Sequence, residues 1–464
     1  DKVYVLRYLA RHGQLYIIQG LGILILVPLV FMNNSGFTVG GNAIQTQGNA
    51  LAPSPSKENI TITIMFNTFE SSGKSLVDNA ARILRSNHPD LGINIKYSET
   101  GEDNNNTRHQ MLNAIVNGSA VDIVTLDQIW LGEFAQKGLL TDLTNYTNDW
   151  GRLSDWYQSN LDGMTYNGSI YGIWGWTDVR GTWYWKDLLN KAGVDPNSLE
   201  TWNGYIAAAK KLNTVLRPQG IEGIHLVGAS HSPDIEFYPY LWMLGGDIVE
   251  LKSGHPLKGS YWFPAYNSSM GVRALEFIKA QIDAGIKPQK NHLWGKEFLD
   301  RKFAVMLEGS WLPSDLPKED VRNVGFIPMF PVPDNKIQSS TLMGGWEFNI
   351  PATSSHKNLA WELIELMLEP KILAPWIAEQ GYLPTQITLG EGTGPYTNLL
   401  RKSIPFYDNM ISMIHLGKSR PGIPEYPAIS DHIREALDDV YYGIKQPKQA
   451  LNDAATKSAK TLGW

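Results

Sequence analysis

Residues 59–66, NITITIMF, alternate branched apolar and polar side chains with a period of two, the pattern of a strand with one buried face. A helical pattern follows at 78–88 with Ala81, Ile83 and Leu84 inward. Residues 93–97 alternate again, 107–116 read as helix, 121–126 (VDIVTL) as a short apolar strand, and 130–138 as helix. Strands alternating with helices of this length predict an α/β fold with a mostly parallel sheet. In such sheets solutes sit beyond the carboxyl ends of the strands, and Asp127 stands at one such end. Helical stretches dominate later, at 203–212, 270–284, 356–367 and 430–444, with no repeat of fixed period.

The chain has 464 residues, enough for more than one domain and a large core. Its 40 basic and 46 acidic residues give a net charge of −6, which argues against a nucleic-acid binder. There is no cysteine, so disulfides, zinc-thiolate sites, thiol nucleophiles and a cysteine-linked lipid are excluded. The ten histidines show no metal-ligand spacing.

Residues 15–32, LYIIQGLGILILVPLVFM, are uncharged and mostly apolar. As a helix they reach about 27 Å, close to the hydrocarbon thickness of a bilayer. Lys2, Arg7 and Arg11 precede them, which predicts a cytoplasmic stub and membrane anchor over 1–32 with the rest of the chain outside the cell. A cleavable signal peptide is the alternative, although the run is long for one. Residues 33–58 have linker composition and predict a flexible stalk. N-x-S/T triplets at Asn33, Asn59, Asn105, Asn117, Asn145, Asn167 and Asn267 are compatible with an outside location.

The richest stretch is 172–185, GIWGWTDVRGTWYW. If 174–180 is extended, Trp174, Trp176, Asp178 and Arg180 share one face, and Gly175, Thr177 and Val179 the other. Indoles beside a carboxylate and a guanidinium suit a sugar, whose C–H faces stack on rings while its hydroxyls meet charged planar groups. A core strand with a buried ion pair would carry the same residues. Gly344 and Gly345 precede Trp346 and an alternating strand; paired glycines admit a close backbone approach and Trp346 offers a stacking face, or they form an ordinary turn. Trp311 in EGSWLP has the same two readings. Arg420 lies in KSRPGIPEYP, a Pro/Gly-rich loop suited to presenting a guanidinium.

Enzyme motifs fail. Ser72-Gly73-Lys74-Ser75 ends like a phosphate loop, but Thr68 stands where its earlier glycine belongs. There is no H-E-x-x-H and no G-x-S-x-G.

Taken in order, DIVTLDQIWLGEFAQKGLLTDLT, GSIYGIWGWTDVRGTWYWKDLL, GGWEFNIP, QGYLPT and SRPGIPEYP resemble the extracellular sugar-binding proteins of ABC importers, most closely the maltose/trehalose-binding branch. The cysteine-free anchor and its stalk look archaeal. The resemblance covers about residues 60–464. It implies a two-lobe periplasmic-binding-protein-like fold of type II, with three segments crossing between lobes near 175–184, 344–351 and 382–388. Lobe 1 would comprise 59–176 plus 346–384, and lobe 2 177–345 plus 385–464. The ligand-binding residues it implies are Arg108, Asp127, Trp176, Asp178, Trp311, Gly344, Gly345, Trp346 and Arg420, to which the residue pattern adds Trp174. A first-lobe acidic residue of the family is not clearly matched, since Glu70 or Lys74 falls there. The resemblance implies no catalytic residue, cofactor or metal. Its partners would be a maltose- or trehalose-like sugar, the permease subunits with their ATPases, and the membrane through residues 15–32. Two other functions stay open on the residues alone: a tethered glycoside hydrolase using Asp127 and Asp178, and a receptor for peptides or another polar solute.

Overall fold

The computed structural model describes residues 57–66, 70–99, 104–228, 234–290, 295–335 and 337–464. The expected anchor at 15–32 and nearly all of the stalk lie outside these residues. No helix among the described residues is long and apolar enough to cross a membrane.

The alternating segment forms strand β1 (Glu58–Phe66), whose last five residues are all buried. It pairs in parallel with β2 (Leu91–Glu99) and β3 (Ile123–Asp127). Helix α1 (Glu70–Asn87) covers this sheet with Leu76, Val77, Ala80, Ala81 and Leu84, each at most 1% exposed. Its start lies well before the helical pattern becomes readable. Gly73 obscures that start, yet an added Cβ there would lie 3.1 Å from the Phe66 ring, so the glycine lets the helix sit down on β1.

Among the described residues this sheet has nine strands; besides a two-residue strand, Gly417–Lys418, at the start of the eighth, five more join it. They are β4 (Ile173–Trp185), β5 (Glu222–Ile224), β6 (Phe303–Gly309), β7 (Val324–Ile327) and β8 (Thr341–Asn349). The order is β2-β1-β3-β8-β4-β6-β5, with β7 also on β4. β4 carries the architecture. Its first half, up to Val179, pairs antiparallel with β8, and its second half, from Arg180, pairs with β6 and β7. Gly175 and Gly181 have no side chain because the rings of Phe348 and Phe326 occupy that space, each 2.5 Å from where a Cβ would be.

Two α/β lobes result, with chain crossings held side by side in the middle. Thr177 exchanges both backbone hydrogen bonds with Leu383, at 2.9 Å each, and its Oγ1 donates to the Gly344 carbonyl at 2.7 Å. Helices Lys357–Met367 and Pro370–Gln380 pack on α1, and the last two, Tyr426–Tyr441 and Pro447–Thr461, pack on each other.

Candidate functional site

β3, β8 and β4 bring the sequence candidates to one place. Trp346 lies opposite Asp127 on one side and opposite Trp176 on the other, and Gly344 lies opposite Asp178. The apolar run of β3 buries the strand and delivers Asp127 at its end, where the carboxylate accepts the Ile129 N–H at 3.3 Å and caps a short turn. Arg420 Nη2 donates to the same Asp127 Oδ1 at 3.0 Å.

The loop carrying Arg420 is fastened at several points. Gln128 Nε2 donates to the Arg420 carbonyl at 2.7 Å, and Ser419 Oγ donates to the Ser159 carbonyl at 2.9 Å. Gly132 lies so close to the loop that an added Cβ would stand 2.3 Å from the Gly422 carbonyl oxygen.

On the far side of Asp178, Arg180 Nη1 donates to Glu308 Oε1 at 3.0 Å, with both side chains buried. The same oxygen accepts the Gly309 N–H at 2.8 Å. The Arg180 guanidinium also lies 4.9 Å from the Trp311 ring centre, a cation–π contact. Behind this pair, the buried Glu236 accepts the Val227 N–H at 3.2 Å.

These groups share one electrostatic field. Burial pushes the Asp178 carboxyl up to about 6; Arg180 and Arg420 pull it down, and Asp127 and Glu308 push it further up. Burial also raises Asp127, against the pull of Arg420. Glu236 is raised by burial to about 8.

The indoles divide into two sets. Trp176 is 1% exposed; Trp376 meets it at 4.8 Å and Phe348 at 5.6 Å, both edge-on. Trp174 is fully buried. Trp346 and Trp311 are the partly exposed members, with Trp346 edge-on to Trp130 at 5.8 Å. The expectation of a wall whose stacking faces come from Trp174 and Trp176 is corrected accordingly: their rings are packed, and what they offer is polar. The Nε1 atoms of Trp174 and Trp176, Oδ1 of Asp178 and Nε of Arg180 are buried and have no hydrogen-bond partner among the described residues.

The glycine pair also has a different reason from the expected approach of a ligand to the backbone. A Cβ on Gly344 would lie 2.6 Å from Asp178 Oδ2, and one on Gly345 would lie 1.7 Å from Trp174 Nε1. The glycines make room for these two side chains. Arg108 donates in bidentate fashion to Glu133, at 2.7 and 2.8 Å, and Lys137 joins the same carboxylate at 2.6 Å. Residue reading did not single out Gln128, Glu308, Glu236 or Trp376. Gln128 directly follows Asp127, and Glu308 opens the quoted EGSW, so position beside a chosen residue was the available signal for both.

The family model of bacterial extracellular solute-binding proteins matches residues 69–373. A mannitol-binding protein of Pseudomonas aeruginosa is 20% identical over 435 residues, covering 86% of this chain and 93% of its own length. A solute-binding protein of an ABC transporter from Thermotoga lettingae, solved with α-D-tagatose, has a TM-score of 0.71 at 21% identity and covers 88% of this chain and 100% of that one. The Thermus thermophilus maltotriose-binding protein, solved with maltotriose, has a TM-score of 0.67 at 20% identity, covering 87% and 100%. Both likenesses show the two-lobe fold. The family binds solutes without transforming them, which overturns the reading of Asp127 and Asp178 as a hydrolytic pair. Buried hydrogen-bonding atoms gathered where the crossing strands meet fit that task, and the chain belongs to the family of bacterial extracellular solute-binding proteins.

Proposed function

We propose that the protein is the substrate-binding subunit of an ABC sugar importer, capturing a polyol, a disaccharide or a short oligosaccharide outside the cell and delivering it to the permease. One observation carries this reading: buried indole N–H donors, a buried carboxylate oxygen and a guanidinium N–H lie along β4 with no partner among the described residues. Burying such atoms without a partner costs about 1–3 kcal/mol each. Hydroxyl groups, which both donate and accept, would satisfy all of them. Trp311 and Trp346 would supply the apolar faces against which sugar C–H groups stack.

In this reading the ligand meets Asp127, Trp174, Trp176, Asp178, Trp311, Trp346 and Arg420, with Arg108 on the first-lobe side, and Gly344 and Gly345 shape the site by seating Asp178 and Trp174. Lobe 1 comprises 59–176 plus 346–384, and lobe 2 comprises 177–345 plus 385–464. The maltose/trehalose-like solute, the archaeal origin and the anchor at 15–32 belong to the same proposal. The sequence motifs support the solute class, and the apolar run at 15–32 with its cysteine-free stalk supports the anchor and the archaeal origin; proteins of similar fold were solved with tagatose and with maltotriose. Titration calorimetry with maltose, trehalose, tagatose and mannitol is the test. Saturable binding of at least one is expected, and heat from none of them would sink the reading.

A further inference from the structure

Carboxylate-bearing ligands are usually gripped by arginine, whose planar fork matches two oxygens at once. Two arginines stand at this site, and each already serves a carboxylate of the protein. Arg420 bonds Asp127 at 3.0 Å, and Arg180 bonds Glu308 at 3.0 Å. Glu308 is held in turn by the Gly309 N–H at 2.8 Å and is fully buried, so its pairing with Arg180 is fixed from behind. Asp178 adds a third carboxylate within the field of both guanidiniums, with Oδ1 buried and unmet among the described residues. Glu236, a fourth buried carboxyl, feels both Glu308 and Arg180.

We propose that Glu308 is a specificity-determining residue: by engaging Arg180 it keeps the cleft selective for uncharged polyhydroxylated solutes over the corresponding sugar acids. This rests on the reading of the cleft as a carbohydrate site. A hydroxyl can donate to Asp178 Oδ1 and accept from an indole N–H at once. A ligand carboxylate only accepts, so beside Asp178 it sets two negative charges together while each guanidinium's charge already faces a protein carboxylate, Arg180 keeping a single unmet N–H at Nε. Glu308→Gln keeps the shape and the acceptor oxygen but removes the charge. Arg180 is then left with uncompensated positive charge facing the solute.

The experiment compares maltitol with maltobionate and mannitol with mannonate, pairs that differ only in CH2OH against carboxylate, by titration calorimetry at one ionic strength, in the wild type and in Glu308→Gln. The wild type is expected to bind the neutral member at least about 100-fold more tightly, since like charges set side by side suppress the wrong partner. Glu308→Gln should narrow that gap at least about tenfold, with acid binding gained. If Glu308→Gln does not fold, Asp178→Asn takes its place and should narrow the gap by removing the facing charge. Equal binding of acid and neutral members by the wild type overturns the inference and leaves the carbohydrate reading standing. So does an unchanged gap in the folded variant. Should neither the neutral members nor their acids bind, the carbohydrate reading itself falls and this inference with it.

Discussion

Asp178 and Gly344 face each other across the β4–β8 ladder, and a Cβ on Gly344 would come within 2.6 Å of the Asp178 carboxylate. The absence of a side chain at 344 therefore fixes where the carboxylate lies. Its neighbour Gly345 has a φ of 149°, a conformation open to glycine alone, with the Trp174 indole N–H where a Cβ would be. Gly344→Ala should shift Asp178 and weaken sugar binding at least about tenfold while the protein still folds. Gly345→Ala should destabilise the fold by about 3 kcal/mol or more, since it adds backbone strain to a clash. Calorimetry and urea denaturation separate the two, and unchanged binding in Gly344→Ala would contradict the geometry.

Asp178 should also leave a mark on stability as a function of pH. Its carboxyl titrates near 6 in the folded protein, above the ordinary 3.8. Protonation therefore favours the fold: the stabilisation is full below about pH 4 and is lost as pH rises through about 6. Asp178→Asn, neutral throughout, should match the wild type near pH 4. Above pH 6 it should exceed the wild type by on the order of 2–3 kcal/mol. Urea denaturation at the two pH values decides; a variant less stable than wild type at neutral pH would refute it.

The two sets of indoles predict opposite phenotypes. Trp176 is packed by Trp376 and Phe348, so Trp176→Ala opens a cavity and should cost about 3–5 kcal/mol of stability. Trp346 is partly exposed, so Trp346→Ala should cost less stability and show instead as a loss of about 1–2 kcal/mol in sugar affinity. The pair is measured by thermal melting alongside calorimetry. Equal losses of stability would mean that Trp346 is a core residue.

Gln128 holds the Arg420 loop by its carbonyl, at 2.7 Å, from a fully buried position. Gln128→Ala removes that bond and should speed solute release about 5–10-fold, the equivalent of about 1–1.4 kcal/mol. The association rate should change little. Stopped-flow tryptophan fluorescence reads both rates; a change confined to association would assign Gln128 a different role.

How much of this was legible in the sequence varies with the locality of the cause. Asp127 was readable because an apolar run ended abruptly in an acid, and a strand end is where a parallel sheet presents its chemistry. The role of β4 as a bridge came only through the resemblance that GIWGWTDVRGTWYW helps to carry; its residues by themselves suggested a binding face. The packing of Trp176 was not, since its partners Trp376 and Phe348 lie far along the chain and no local period announces them. Glu308 ends a run of apolar residues, FAVML, and looked like the first residue of a turn. Only its contact with Arg180 makes it part of the site. Helices Asp234–Met243 and Pro370–Gln380 were hidden by internal prolines at 239 and 375, whose missing N–H usually ends a helix.

The stitching of Thr177 to Leu383 and to the Gly344 carbonyl has a mechanical consequence. Strands bonded at a common level cannot slide past one another without breaking backbone hydrogen bonds, whereas they can flex together. Separation of the lobes is thus confined to bending about an axis through that level, like the spine of a book. Asp178 and Arg180 lie a residue or three beyond the spine, where a modest angle produces little displacement. The binding groups nearest the fold line therefore keep their mutual spacing as the strands flex.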